Sequence, residues 1–118
     1  MLFAHRGASA HAAENTLEAF HLAMKLGATG LESDLWVTSD GVPVLNHEGY
    51  IKKAFRRKAI SELRKTELRE HMCTLEDLYI QCGSSFDLSL DLKNPDALEP
   101  ALKVVRRYSA ESRLWLCH

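Results

Sequence analysis

Gly30-Leu31-Glu32-Ser33-Asp34-Leu35-Trp36-Val37 is the stretch whose reading decides the fold. Leu31, Leu35 and Val37 are the apolar members of a strand over 30–37. Side chains two apart in a strand point to the same side, which puts Glu32 next to Asp34. Two neighbouring carboxylates repel, and charges in strands are costly unless they are paired, metal-bound or wet. Such a pair belongs to a site rather than to a core.

The same arrangement recurs on either side. Upstream, the apolar run 1–4 ends at His5-Arg6-Gly7. Glu14-Asn15-Thr16 opens a helix over 16–26, in which Leu17, Phe20, Ala23 and Met24 share a face and Gly27 is the stop. Downstream, Ser39-Asp40-Gly41 is a turn, 42–45 a strand, and His47-Glu48 follows. Helices are expected over 60–71 and 75–82, the second with Thr74 as N-cap and Gly83 as stop. A strand over 86–92 carries Asp91, with Lys93 just beyond it. A helix over about 100–108 and an apolar run over 114–117 complete the order. Strands alternating with helices favour a parallel α/β sheet, whose strand ends are where such folds gather reactive side chains. The link from 30–37 to 42–45 is shorter than a parallel crossover normally needs, which leaves a plain hairpin open.

Composition sets bounds. The chain has 118 residues, 46% of them hydrophobic and 26% charged, so at most one globular domain is expected. A net charge of −1 gives no general attraction to nucleic acid or anionic membrane. No apolar run reaches the roughly 18 residues of a membrane span, and Met1-Leu2-Phe3-Ala4 is too short for a signal peptide. Cys73, Cys82 and Cys117 form no CxxC pair and read as reduced thiols of a cytoplasmic protein.

Three kinds of chemistry suit the charged groups. Hard divalent cations such as Mg2+ or Ca2+ prefer carboxylate oxygens, so Glu32, Asp34 and Asp91 form a candidate ligand set. Lys93 is then a cation for an anionic substrate, and Arg6 is a forked donor matched to phosphate oxygens. His5 and His47, at the ends of separate strands, suit acid–base work because an unperturbed imidazole titrates at about pH 6.5. An equally simple reading makes the carboxylates solvent-facing charges on half-exposed strands. Asn15 or Thr16 serves as a helix cap, whereas capping does not require Glu14. The basic run Lys52-Lys53 with Arg56-Arg57-Lys58 reads as a solvated loop, with attraction for a phosphate head group as the lesser alternative.

Taken together, these residues resemble the glycerophosphodiester phosphodiesterase family. The resemblance rests on His5-Arg6-Gly7, Glu14-Asn15-Thr16, Glu32-Ser33-Asp34, Thr38-Ser39-Asp40-Gly41, His47-Glu48, Thr74-Leu75-Glu76-Asp77 and Leu90-Asp91-Leu92-Lys93, in this order. It implies a (β/α)8 TIM-type barrel, with the 42–45 strand as one of its members. It also implies metal-dependent hydrolysis of a glycerophosphodiester to glycerol 3-phosphate and an alcohol. By that resemblance His5 and His47 are the acid–base pair, and Glu32, Asp34 and Asp91 hold a divalent cation, Mg2+ or Ca2+. Arg6 and Lys93 contact the substrate phosphate, and Glu14 is a supporting acid.

The chain departs from the family pattern at Ala13, where Pro is usual, at Glu48, where Asp is commoner, and at Asp91, where Glu is usual. A barrel of this kind takes about 250 residues. The expectation is therefore an N-terminal part carrying about the first five strands. It would be completed by further chain or by another copy, with apolar edge strands prone to pairing. A partner-requiring or non-catalytic remnant, and a lysophospholipase D-like activity on the same scaffold, are the alternatives carried forward.

Overall fold

The computed structural model of the chain describes residues 3–5, by their backbone, and 15–117. Its strands are β1 (Phe3–His5), β2 (Gly30–Val37), β3 (Pro43–Leu45), β4 (Tyr50–Lys53), β5 (Arg56–Ala59), β6 (Cys73–Thr74), β7 (Asp87–Leu92) and β8 (Leu114–Cys117). Its α-helices are α1 (Leu17–Lys25), α2 (Leu75–Cys82) and α3 (Leu98–Arg107).

Four strands run parallel in the order β1-β2-β7-β8. Glu32 lies opposite His5 on one side, and Asp34 lies opposite Asp91 on the other. β3 turns back and pairs antiparallel with the upper half of β2, through Leu35–Leu45, Trp36–Val44 and Val37–Pro43. β7 holds one edge of β2, so β1 and β3 share the other edge, one below the other. β6 then pairs antiparallel with β3.

This corrects the expectation that the 42–45 strand is the third parallel strand of a barrel. The hairpin reading holds there, because only the five residues 38–42 link β2 to β3, too few for a crossover. The turn is fastened locally. The Thr38 hydroxyl donates to Asp40 at 2.6 Å and accepts from the Val42 N–H at 2.9 Å. Gly41 takes a positive φ of 80° that a side chain would strain.

The helices cover one face of the sheet. Leu31, Leu35 and Val37 of β2 and Leu88 and Leu90 of β7 are buried against Phe20 and Ala23 of α1, Leu75, Leu78 and Tyr79 of α2, and Ala101, Val104 and Val105 of α3. Each helix has a local reason to start. The Thr16 side chain accepts from the Ala19 N–H at 3.2 Å, so Thr16 rather than Asn15 caps α1. Thr74 and Asp77 form a reciprocal capping box on α2. Pro100 sits in the first turn of α3, where its missing N–H costs nothing.

The other face has its own small cluster of Val44, Ile51, Ile60, Leu63 and Met72, with Trp36 and Leu68 against it. Here two expectations fail. No α-helix spans 60–71; the segment forms two short 3-10 turns, Ile60–Glu62 and Lys65–Glu67. Its backbone is committed elsewhere. Leu63 C=O accepts from the Ser39 N–H at 2.7 Å and the Ser39 hydroxyl at 2.9 Å, and the Lys65 N–H donates to Asp40 at 3.0 Å. Those bonds consume groups that a continuous helix would need for itself. The basic run is likewise not a loop but the two-stranded β4–β5 hairpin.

Candidate functional site

The even-numbered residues of β2 and the odd-numbered residues of β7 face away from the helices. Glu32, Asp34 and Trp36 therefore share a face with Ser89 and Asp91, toward the carboxyl ends of the parallel strands. Among the described residues Asp34 is the most enclosed charged group, its side chain only 8% exposed. A buried carboxylate needs a partner. Its Oδ2 lies 3.4 Å from Nδ1 of His47.

His47 arrives there because the β2–β3 hairpin folds back. The Asn46 N–H donates to the Asp34 carbonyl at 3.1 Å, tying the end of β3 to β2 one residue before the histidine. The Asn46 carbonyl accepts from the Trp36 indole at 2.9 Å, and its side-chain amide donates to the Glu48 carbonyl at 2.7 Å. Gly49 completes the turn: a Cβ there would fall 2.4 Å from the Trp36 ring. Sequence reasoning missed Asn46, Trp36 and Gly49 as positioning residues. For Asn46 and Gly49 the one signal was proximity to His47 in the chain, and for Trp36 its place two residues beyond Asp34.

Asp91 sits beside Asp34 across the β2–β7 pair and makes an ion pair with Lys93, Oδ2 to Nζ 2.8 Å. The Lys93 backbone N–H donates to the Leu35 carbonyl at 3.1 Å, which carries the lysine past the end of β7 onto β2. Below this level, the Ser33 hydroxyl donates to the Asn15 side chain on the helix face. Asn15 is buried in the left-handed region, φ 55°, which asparagine tolerates better than most residues. That contact ties the entry of α1 to the strand bearing the carboxylates.

Five of the eight site residues singled out from sequence are thus described with their side chains: Glu32, Asp34, His47, Asp91 and Lys93. For His5 the backbone alone is described, and Arg6 and Glu14 lie outside the described residues. Among the described residues no three His, Cys, Asp or Glu side chains stand together closely enough to share an ion. The carboxylates have protein partners instead, Asp34 with His47 and Asp91 with Lys93. The donor types still fit a hard cation: three carboxylates, on one face of two adjacent strands. Cys73 and Cys82 lack the features of a reactive thiol. Burial pushes the Cys73 thiol well above its ordinary value, and burial also raises Cys82.

Comparison with known proteins agrees with this architecture. Residues 5–109 match the profile of the glycerophosphoryl diester phosphodiesterase family, and the chain belongs to that family. It is 56% identical over 50 residues to rat glycerophosphodiester phosphodiesterase 1, a match covering 42% of this chain and 15% of that protein. It is 29% identical over 139 positions to the glycerophosphodiester phosphodiesterase of Caldanaerobacter subterraneus, covering 97% of this chain and 56% of that protein. The crystal structure of glycerophosphodiester phosphodiesterase from Thermotoga maritima superposes with a TM-score of 0.85 at 27% identity, over 98% of this chain and 53% of that one. The chain thus spans about half the length of the relatives it matches end to end. Among the described residues no helix is long and apolar enough to cross a membrane.

Proposed function

We propose that this chain carries the reacting groups of a glycerophosphodiester phosphodiesterase, which hydrolyses a glycerophosphodiester to glycerol 3-phosphate and an alcohol. The observation that carries the reading is the Asp34–His47 contact at 3.4 Å beside the Asp91–Lys93 pair at 2.8 Å, on one face at the carboxyl ends of parallel strands. An enclosed carboxylate on one imidazole nitrogen orients the ring, leaving the other nitrogen to exchange a proton with substrate. His5, at the end of β1 opposite Glu32, supplies the second proton-transfer group. One histidine takes the proton of the nucleophile, either water or the substrate's neighbouring hydroxyl, as the new P–O bond forms; in the second case water then opens the cyclic phosphate to give glycerol 3-phosphate. The other gives a proton to the departing alkoxide as the old P–O bond breaks. Lys93 and Arg6 meet the non-bridging oxygens, where charge accumulates, and Glu14 supports the arrangement.

Glu32, Asp34 and Asp91 are the residues that would hold a divalent cation, Mg2+ or Ca2+. Bound there, it would supply charge neutralisation at the phosphoryl group. The three unbridged cysteines support a cytoplasmic setting. The outer edge of β8, with Trp115 55% exposed, supports pairing with a further strand, from a longer chain or a second copy. In that arrangement the four parallel strands are half of an eight-stranded barrel.

The test follows glycerol 3-phosphate release from a panel of glycerophosphodiesters, with Mg2+ and with Ca2+. It uses this chain alone and this chain fused to the C-terminal half of a longer relative. The chain alone is expected to turn over slowly, because reacting groups need positions held to about 0.5 Å and an open sheet holds them poorly. In the fusion, His47→Ala is expected to lower turnover at least about a hundredfold while metal binding by calorimetry persists. Near-parental turnover of His47→Ala would overturn the two-histidine assignment.

A further inference from the structure

The β4–β5 hairpin takes no part in the chemistry above, yet it is the most polarised element of the molecule. Between Tyr50 and Ala59 it holds Lys52, Lys53, Arg56, Arg57 and Lys58 and no carboxylate. That is five of the chain's 15 cations, and the rest of the chain is left with a charge of −6. The overall charge of −1 hides this separation.

The register makes the polarity costly. Lys52 lies directly opposite Arg57, and Lys53 directly opposite Arg56. Like charges facing one another across an antiparallel pair destabilise it, and an isolated two-stranded ribbon has little stability to spare. Neighbouring groups relieve the strain in part. Arg57 lies over the Tyr50 ring at 4.4 Å, and Lys58 reaches Glu67 at 3.5 Å. Among the described residues Lys52, Lys53 and Arg56 make no ion pair. At the tip Phe55 is fully exposed, and Ala54 before it takes a positive φ of 56°. The base, in contrast, is firmly held. Ile51 is buried in the cluster beneath Trp36, the Ile60 N–H donates to the Gly49 carbonyl at 2.8 Å, and the Arg69 guanidinium donates to the Lys52 carbonyl at 2.6 Å.

We propose that this hairpin docks the protein on an anionic lipid bilayer, with Phe55 entering the headgroup boundary and Lys52, Lys53, Arg56 and Arg57 lying among the lipid phosphates. A surface of negative charge relieves both facing cation pairs at once, and an apolar boundary takes up an aromatic ring that water does not favour. The lone apolar tip favours a bilayer over nucleic acid, whose grooves offer cations phosphates but offer such a ring no apolar layer. The hairpin begins three residues after His47, so docking would hold the catalytic end of the sheet near the membrane surface. The proposal stands independently of the hydrolytic reading.

The experiment is sedimentation of the 118-residue chain with vesicles of phosphatidylcholine alone and with about 30 mol% phosphatidylserine, a lipid that makes the surface negative. Preference for the anionic vesicles is expected, falling as salt approaches about 0.15 M, where the Debye length is about 8 Å. Substituting Lys53→Ser with Arg56→Ser should weaken binding about 25-fold, since each surface cation contributes about fivefold. Phe55→Ser should weaken it several-fold. All three positions are exposed, and circular dichroism checks that the fold is kept. In a separate variant, Phe55→Trp emission should shift to the blue on anionic vesicles alone, a readout that requires no destabilising change. Equal binding to both vesicle types, undiminished binding by the double variant, no blue shift, or equally tight binding to a DNA duplex would each overturn the proposal.

Discussion

The two faces of the sheet are built by different means. On the helix face, Phe20, Leu31, Leu35, Leu88 and Leu90 are completely or almost completely buried in one continuous core, under helices with their own caps. On the opposite face, a cluster of five buried side chains underlies a segment, 46–72, with almost no regular helix. Its backbone is held by bonds to distant groups: Ser39 to Leu63, Lys65 to Asp40, and Arg69 to Lys52. The first face is made by periodicity and the second by particular long-range bonds. The proposed site lies where the second meets the strand ends.

The contrast is testable first by truncating each core. Phe20→Ala is expected to cost about 3–5 kcal/mol in urea unfolding, the range for a large buried side chain. Ile60→Ala, in the smaller cluster, should cost less, about 2 kcal/mol, and should raise hydrogen exchange chiefly within 46–72. Equal global losses from both would show that the two clusters form a single cooperative unit.

Gly49→Ala probes the junction between the faces. The new methyl must displace the Trp36 ring, at a cost of about 1–3 kcal/mol. Because the Trp36 indole donates to the Asn46 carbonyl next to His47, tryptophan emission and catalytic turnover should change together. A change in emission without a change in turnover would separate the cluster from the site.

Ala54→Gly works in the opposite direction. Relief of a positive φ on a non-glycine residue should stabilise the hairpin by about 1 kcal/mol, read as slower amide exchange in β4 and β5 with little change in the global transition.

The smallest expected effect concerns acid. The Thr38 hydroxyl, donating to Asp40, holds that carboxyl below its ordinary value, and the Lys65 N–H adds to this. A group with a depressed folded value stabilises the protein above its unfolded value, and the benefit is lost as pH falls through the folded one. Asp40→Asn should therefore lower the melting temperature slightly at neutral pH, and the difference from the parent should vanish in strong acid. A difference that persisted there would assign the effect to hydrogen-bond geometry rather than charge.

These contrasts explain what could be read in advance. The period-two pattern of 30–37 and 86–92, the caps at Thr16 and Thr74 and the stops at Gly27 and Gly83 are local, and the elements built on them fall within a residue or two of where they were expected. The charged motifs could be singled out as a candidate site in the same way, because a carboxylate pair on a strand has few structural uses. The direction of β3 was not legible once a barrel was assumed, although the five-residue link argued for a hairpin. The 60–71 helix was misread because its apolar residues follow the demands of the small cluster and its backbone groups are taken by Ser39 and Asp40. The hairpin escaped notice because Ala54-Phe55 is not a usual turn pair, and a run of cations alone reads as solvent-exposed loop.

By itself, then, the order of residues determined which segments become the helix-backed strands and which side chains are too costly to be there without purpose. Only tertiary structure decided that Asp34 meets His47, that Asp34 lies opposite Asp91, and that Ser39 and Asp40 engage the backbone of Leu63 and Lys65. The physical reason is range. Caps, stops and periodicity act within about one turn of helix or a few residues of strand, whereas a contact such as that of Lys65 with Asp40, 25 residues apart in the chain, exists only after everything between them has folded.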